Sequence, residues 1–425
     1  MDRRNFLGLG TVAAGAALAG LPLRADDKAA LPAPIAKLKS MRDQAKPITV
    51  DERRVRIERA RQLLGEHQIG ALMITGNSSL TYFTGMRWWQ SERLFALIIP
   101  AKGNAFCVCP KFEEDRAREQ ISKGPLGADA EVRTWEEDES PYKLVAAGLT
   151  DRGLMSGRLG VEETVPFAFS NGVAQAAPSI QLVSGTPVTA GCRMVKSAHE
   201  LELMRLAAKV SWAAYKAAYE SIRDGMTDRE FSALVGEAHR QLGFEGGADV
   251  QTGIYSANPH GSLMPQKITE GTILLMDGGC KVEGYASDIS RTFVLGKPSD
   301  KMKHVFDIVH QAQTAAVKTA KPGLACGDVD AAARKVITDA GFGPDYKYFS
   351  HRVGHGMGMD GHEWTYLVRG NATKLQPNMV FSDEPGIYIR GEFGVRLEDD
   401  MAITENGAEL MTPQSPNLED PFGAA

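Results

Sequence analysis

Two stretches in the last third of the chain, Thr272-Ile-Leu-Leu-Met-Asp-Gly-Gly279 and Asp288-Ile-Ser-Arg-Thr-Phe293, decide the fold that we expect. Each is a short apolar run with a carboxylate at one end, and a Gly284-Tyr285 turn lies between them. Two such runs joined by a glycine-containing turn are typical of a β-hairpin. The pattern therefore predicts a hairpin with Asp277 on one arm and Asp288 on the other.

Three further residues lie in or beside short apolar, strand-like stretches downstream. They are His355 in Gly354-His-Gly-Met-Gly358, Glu384 in Ser382-Asp-Glu-Pro-Gly386 and Glu398 in Gly394-Val-Arg-Leu-Glu398. A single Asp or Glu is usually an exposed surface residue. Burying several carboxylates together is costly, because like charges raise one another's pKa and each ion loses its hydration. Two divalent cations would cancel four carboxylate charges, so the five residues predict a dinuclear metal site.

The chemistry of these ligands restricts the choice of metal. An oxygen-rich set with one imidazole favours Mn²⁺ or Co²⁺, whereas structural zinc sites more often contain cysteine. Mn²⁺ is the first choice, and Co²⁺ or Zn²⁺ remains possible.

These motifs resemble the pita-bread metallopeptidases of family M24, which include Xaa-Pro dipeptidases (prolidases), proline aminopeptidases and methionine aminopeptidases. The resemblance extends over nearly everything after Asp51, and all five ligand positions hold the expected residue types in the expected order. It implies that Asp277 is a terminal ligand of one metal, that Asp288 and Glu398 bridge both metals, and that His355 and Glu384 bind the other.

The resemblance also implies an α+β protein with an N-terminal α/β, creatinase-like domain over residues 51–190. A C-terminal pita-bread catalytic domain would follow over 191–425, and residues 26–50 would form a linker or arm. The alternation of helical and strand-like stretches after residue 51 is itself typical of an α/β layer.

Other polar residues of these motifs are candidates for catalysis. The resemblance implies that His260 and His362 contact the substrate and the reaction intermediate, and that His351 lines the pocket of the leaving residue. Glu384 is the predicted general base. Arg396, two residues before Glu398 and so on the same strand face, is predicted to orient a ligand carboxylate or the substrate.

Two positions depart from the family pattern. Many relatives carry a tyrosine about fourteen residues before the residue matching His260, where it contacts a ligand carboxylate, but here the sequence reads Phe244-Glu-Gly-Gly-Ala248. Prolidases also commonly place an arginine, which pairs with the substrate's terminal carboxylate, at the position that is Tyr366 here. The nearby Arg369 is one possible substitute, so the sequence leaves dipeptidase and aminopeptidase activity open.

Composition excludes other functions. The 425 residues carry a net charge of −5 with no basic stripe, which argues against nucleic acid as a partner. The five cysteines match neither a zinc ribbon nor a disulfide scaffold and are predicted to be small buried residues. A small polar substrate is the expected partner, and the family resemblance implies a homodimer.

The N-terminus resembles a twin-arginine export signal. Arg3-Arg4-Asn-Phe-Leu7 precedes a Gly, Ala and Leu-rich stretch that ends at Leu23. This predicts a signal peptide over residues 1–25, delivery to the periplasm and no stable membrane span after cleavage. The alternative is an accidental Arg-Arg pair before an uncleaved helix.

The sequence thus predicts an exported metallopeptidase that cleaves the bond before proline in dipeptides or short peptides. Two alternatives stay open. A same-fold enzyme could act as a C–N hydrolase or lyase on a small zwitterion, because fold does not fix function. A non-catalytic peptide-binding module is the second, although it would be expected to lose ligands, and none is lost.

Overall fold

The computed structural model describes residues 31–423, so the predicted export signal lies outside the described residues. The first half is a six-stranded sheet in the order β4-β3-β2-β1-β5-β6, in which β1 pairs antiparallel with β2 and parallel with β5. Helices cover it. The helices are α1 Ala33–Ala36, α2 Val50–Glu66, α3 Ser78–Thr84, α4 Glu114–Ser122, α5 Pro141–Thr150, α6 Phe167–Ala176 and α7 Thr186–Arg193; the strands are β1 Ala71–Ile74, β2 Ala96–Pro100, β3 Phe106–Pro110, β4 Glu131–Trp135, β5 Gly157–Val161 and β6 Ile180–Ser184.

The second half combines antiparallel sheets with four helices. One sheet has the order β10-β8-β7, a second has the order β12-β11-β13-β16-β17, and β14 pairs with β15. The helices are α8 Ala198–Tyr219, α9 Asp228–Gln241, α10 Asp300–Thr319 and α11 Cys326–Asp339; the strands are β7 Gly246–Thr252, β8 Ile273–Val282, β9 Tyr285–Ala286, β10 Ile289–Val294, β11 Gly354–Gly356, β12 Glu363–Leu367, β13 Val380–Asp383, β14 Gly386–Ile389, β15 Phe393–Arg396, β16 Asp399–Ile403 and β17 Ala408–Leu410.

Local sequence determines where the long helices begin. Ser197 caps α8 by accepting from the Glu200 amide, and the Glu200 side chain accepts from the Ser197 amide at 2.8 Å. This reciprocal capping box satisfies two amide donors that a helix start leaves unpaired. Thr49 and Glu52 form the same box at α2.

A buried polar contact joins the two halves. Arg56 of α2 donates to the Tyr285 hydroxyl at 2.8 Å, and that hydroxyl donates to Glu200 of α8 at 2.8 Å. Before α2, residues 31–49 pack on the protein through Ile35 and Ile48, which are buried in the core. All five cysteines are free and buried, as predicted. Within residues 31–423, no helix combines the length and the apolarity needed to cross a bilayer.

Candidate metal centre

The predicted hairpin is present and brings two carboxylates together. Strands β8 and β10 pair antiparallel with Asp277 opposite Ser290, and Asp288 immediately precedes β10. A two-residue bridge links Ser290 to Glu398, with backbone hydrogen bonds of 3.2 and 3.3 Å. Asp277, Asp288 and Glu398 therefore offer carboxylate oxygens that all lie within 4.8 Å of one another.

His355 and Glu384 complete the cluster from the neighbouring sheet. His355 lies on β11, and Glu384 directly follows β13, which pairs with β11. The Nε2 atom of His355 lies 3.4 Å from Glu384 Oε1 and 3.9 Å from Asp288 Oδ2. The other ring nitrogen, Nδ1, lies 3.1 Å from the Gly356 carbonyl oxygen, to which it can donate. That hydrogen bond leaves Nε2 unprotonated and directed at the carboxylates, as a metal-binding histidine requires.

The charges of the cluster fit a set of divalent cations. Burial raises the pKa of Asp288 well above its usual value, and the negative charges of Asp277, Asp400 and Glu384 raise it further. Burial also raises the pKa of Glu398 well above its usual value, and the negative charges of Asp288 and Glu384 raise it further. Burial raises the pKa of Glu384 to about 7. Four carboxylates thus share a site in which protein cations do not balance their charge, and bound metal ions would supply that balance.

Arg396 holds Asp277 and several neighbours in place. It is 4% exposed, and it forms an ion pair with Asp277. Its Nε donates to Ser290 Oγ at 3.0 Å, and its Nη1 donates to the Pro259 carbonyl at 2.9 Å and to the Tyr388 hydroxyl at 3.0 Å. Although burial alone would raise the pKa of Asp277, the Arg396 charge and the Ser290 hydrogen bond hold it below its usual value. Arg396 therefore positions the Asp277 carboxylate and the loop that carries His260.

The three predicted histidines all line the same pocket of about 410 Å³ as the carboxylates. His260 is exposed in that pocket and has no hydrogen-bond partner among residues 31–423. His362 stacks on His355 with ring centroids 3.7 Å apart. His351 has both ring nitrogens occupied, by the Arg352 carbonyl and by the Tyr388 hydroxyl, each at 2.8 Å. His260 and His362 are thus placed to contact a substrate, and His351 forms part of the wall.

The structure explains how the centre does without the family tyrosine. A side chain at Gly246 has no room, because a Cβ there would lie 2.5 Å from His239 Cδ2 and 2.7 Å from Cys280 Cβ. Asp277 is held instead by Arg396 and by Ser290, whose Oγ lies 2.7 Å from Asp277 Oδ1 and 2.6 Å from Glu398 Oε2. Arg396 and Ser290 therefore make the contacts to Asp277 in a protein that lacks the tyrosine.

Sequence reasoning missed several residues that hold the site. Ser290 bridges the Asp277 and Glu398 carboxylates, Tyr388 links His351 to Arg396, and Asp400 accepts from the Asp288 amide at 3.0 Å. Ser290 lies two residues after Asp288, and Asp400 two residues after Glu398, so alternation along a strand was a usable signal for both. No comparable signal marks Tyr388.

Comparison with known proteins identifies the class. Residues 202–405 match metallopeptidase family M24, and residues 56–195 match the creatinase/prolidase N-terminal domain. The chain is 32% identical to the Xaa-Pro dipeptidase of Lactobacillus delbrueckii subsp. lactis over 372 residues, which cover 85% of this chain and 98% of that protein. The chain belongs to metallopeptidase family M24 and is an enzyme of that family.

Two solved structures are similar along most of their length. The dipeptidase PepE from Mycobacterium ulcerans has a TM-score of 0.82 and 32% identity, with coverage of 88% of this chain and 99% of that one. The Xaa-Pro dipeptidase from Bacillus anthracis has a TM-score of 0.75 and 30% identity, with coverage of 86% and 99%. The predicted creatinase-like domain followed by a pita-bread domain is therefore confirmed.

Proposed function

We propose that this protein hydrolyses the peptide bond before proline in dipeptides or short peptides. The observation that carries the proposal is the convergence of Asp277, Asp288, His355, Glu384 and Glu398 on one pocket, beside His260 and His362. The named activities of the relatives agree with it, since those from Lactobacillus delbrueckii and Bacillus anthracis are both Xaa-Pro dipeptidases. Two divalent ions are the proposed cofactor, with Mn²⁺ as the first choice because oxygen ligands dominate.

The residues of the pocket divide the chemistry between them. Bound divalent cations supply Lewis acidity, which polarises the scissile carbonyl and acidifies a water molecule. Glu384, which lies in the pocket beside His355, would take a proton from that water and deliver it to the leaving proline nitrogen. The exposed His260 and the stacked His362 donate hydrogen bonds to the oxygen that gains negative charge.

The alternatives fit the pocket less well. A metal-free C–N hydrolase of the same fold would have no use for four clustered carboxylates, whose mutual repulsion is costly without cations. A binding module would not need His260 left without a partner at the mouth of such a cluster. The homodimer remains a prediction from the family resemblance.

Hydrolysis is the direct test. Purified protein loaded with Mn²⁺ is expected to cleave an Xaa-Pro dipeptide, and not the matching Xaa-Ala dipeptide, with activity lost in a chelator and restored by added metal. Product formation is followed by chromatography, and bound metal is measured in parallel. Full activity in a sample verified to be free of metal would overturn the dinuclear mechanism, and equal cleavage of both dipeptides would overturn the proline specificity.

We further propose export to the periplasm through the twin-arginine route, supported by the Arg3-Arg4-Asn-Phe-Leu7 motif and the apolar stretch after it. Replacing both arginines by lysine conserves charge but removes the guanidinium pair, so the double variant is expected to stay in the cytoplasm. Fractionation with an immunoblot measures the distribution. Undiminished periplasmic delivery of the lysine variant would rule this route out.

A further inference from the structure

A buried carboxylate anchors the turn that carries His362, which spans residues 357–362 between β11 and β12. Glu363, the next residue in the chain, is buried, and its Oε1 accepts from the Asp360 amide at 3.1 Å across the turn. The turn closes tightly around this carboxylate, since a Cβ on Gly358 would lie 2.7 Å from both of its oxygens. The position of the His362 backbone is therefore tied to the position of the Glu363 side chain.

Two buried cations at the junction between the domains hold this carboxylate. Arg193, the last residue of α7, forms an ion pair with Glu363, and its Nη2 also lies 2.7 Å from Asp360 Oδ2. Lys196 Nζ lies 3.4 Å from the second Glu363 oxygen and donates to the Arg193 carbonyl at 2.6 Å. Although burial alone would raise the pKa of Glu363, the charges of Lys196 and Arg193 hold it below its usual value. The anchor is thus a charged carboxylate with two positive partners.

The first domain holds Arg193 in place. The Nη1 atom of Arg193 donates to Ser79 Oγ on α3 at 3.1 Å, and Ser79 in turn donates to Glu162 at 3.2 Å. Both Ser79 and Glu162 are buried. Residues 56–195, which match the creatinase/prolidase N-terminal domain, therefore contain Arg193 and the residues that fix its guanidinium. The first domain thus reaches the His362 turn through one side chain.

Other contacts act on the ring of His362 rather than on its backbone. The ring stacks on His355 with centroids 3.7 Å apart, and its Nδ1 accepts from Arg352 at 3.2 Å. His362 is nevertheless exposed as a residue, so the place of its ring depends on where the turn puts its backbone. A misplacement of about 1 Å in a group that acts on the reacting atoms can cost about 10²-fold in rate. The anchor of the turn is therefore expected to matter for catalysis.

From these contacts we propose that Arg193 is a positioning residue, which through Glu363 sets the place of the His362 ring beside the carboxylate cluster. The first domain thereby takes part in the reaction of the second domain in the same chain. This inference rests on the proposed hydrolysis, in which His362 donates to the oxygen that gains negative charge. Arg193 does not line the pocket that holds the cluster, so its effect passes through His362. Lys196 supports the same carboxylate.

The first test divides the effect between kcat and KM. Arg193→Gln is expected to lower kcat for an Xaa-Pro dipeptide by roughly 10–100-fold, because a misplaced His362 fails to stabilise the transition state. KM and metal content are expected to stay close to wild type. Arg193→Lys should recover part of kcat, since it restores a positive charge beside Glu363 but not the several contacts of the guanidinium. Loss of metal, or a higher KM with an unchanged kcat, would overturn the proposal.

A double-variant cycle separates positioning from a general loss of structure. If Arg193 acts through His362, the double variant of Arg193→Gln with His362→Ala should be no slower than His362→Ala alone, because a ring that is absent cannot be misplaced. Costs that multiply would overturn the proposal. Lys196→Gln is placed in the same cycle and tests the same anchor if Arg193→Gln does not fold. It is expected to show a smaller fall in kcat, because Lys196 lies 3.4 Å from Glu363.

Arg56→Gln is the matched control, because Arg56 is as buried as Arg193, at 7% exposed, and also crosses from the first domain to the second. It donates to the Tyr285 hydroxyl and lies 3.3 Å from Glu200, so its partners are outside the His362 turn. Arg56→Gln is expected to lower the melting temperature while kcat stays close to wild type. An equal fall of kcat in Arg56→Gln would overturn the proposal, since any break between the domains would then suffice.

Hydrogen exchange followed by mass spectrometry gives a readout that does not depend on hydrolysis. Arg193→Gln is expected to speed exchange of the amides in residues 357–363, and Arg56→Gln to leave them as in wild type. Unchanged exchange of these amides in Arg193→Gln would overturn the anchor. A turn that loosens in a protein whose wild type cleaves no Xaa-Pro peptide would support the anchor while overturning the proposed function.

Discussion

Glu398→Gln is expected to lose bound metal and to lower kcat/KM by more than about 10³-fold, because metal ions contribute several kcal/mol to stabilising the charge of such transition states. Glu398 belongs to two of the three groups of ligand atoms in the centre, so its loss affects both proposed ions. Glutamine keeps the volume of the side chain and removes only the charge. Metal stoichiometry and dipeptide hydrolysis, measured on the same sample, check the result.

Asp383→Asn is the matched control for this variant. Asp383 adjoins the ligand Glu384 and is fully buried, and neither carboxylate oxygen has a hydrogen-bond partner among the described residues. Burial, followed by the charges of Asp399 and Glu384, raises its pKa well above the usual value, and Asp383 belongs to none of the three groups of ligand atoms found among the described residues. Asparagine should therefore keep metal and activity. Normal metal content in Glu398→Gln would contradict its role as a ligand.

Glu398→Gln should also change how the stability of the metal-free protein depends on pH. Because burial and mutual repulsion raise the native-state pKa of Asp288 and Glu398, the metal-free native protein binds more protons than the unfolded chain. Its stability therefore falls as pH rises above about 4, the usual carboxyl pKa, and part of that fall lies near the Glu384 pKa of about 7. With a chelator present, the melting temperature of Glu398→Gln should therefore fall less than that of wild type as pH rises from about 5 to about 8.

The sequence could predict the hairpin and the gathering of its carboxylates, because apolar runs beside a glycine turn fix both strand pairing and the position of Asp277. It could not predict what holds those carboxylates. Arg396 contacts Pro259, which is 137 residues away in sequence, and such a contact leaves no local pattern. The structure therefore defines the role of Arg396 more fully than the sequence does, because its guanidinium donates to Asp277 and to the Pro259 carbonyl in the loop that carries His260.

Arg352 illustrates the same limit for the charged residues that line the pocket. It lies between His351 and Val353 with no periodicity to distinguish it from a surface arginine, whereas Arg369 is close in sequence to the position expected from prolidases. Only the folded arrangement shows that Arg369 is paired with Asp345 and that Arg352 reaches the pocket over Tyr366. Proximity in sequence therefore does not identify the arginine that lines the pocket, because that depends on ion pairing and stacking between segments.

His260→Ala and His362→Ala are each expected to lower kcat/KM by roughly 10²–10³-fold while keeping near-normal metal, the usual effect of losing one hydrogen bond to a transition-state oxyanion. The test must also exclude a metal-binding role for His362, because its ring, with Asp288 and His355, forms a group that could hold an ion. The Arg352 hydrogen bond to its Nδ1 places the proton on Nε2, and a protonated nitrogen donates but does not bind metal. His362→Gln, whose amide nitrogen can occupy the Nε2 position as a donor, should recover part of the activity lost in His362→Ala. Metal stoichiometry beside Xaa-Pro hydrolysis decides the matter: loss of metal would make His362 a ligand, and unchanged hydrolysis would remove either histidine from the mechanism.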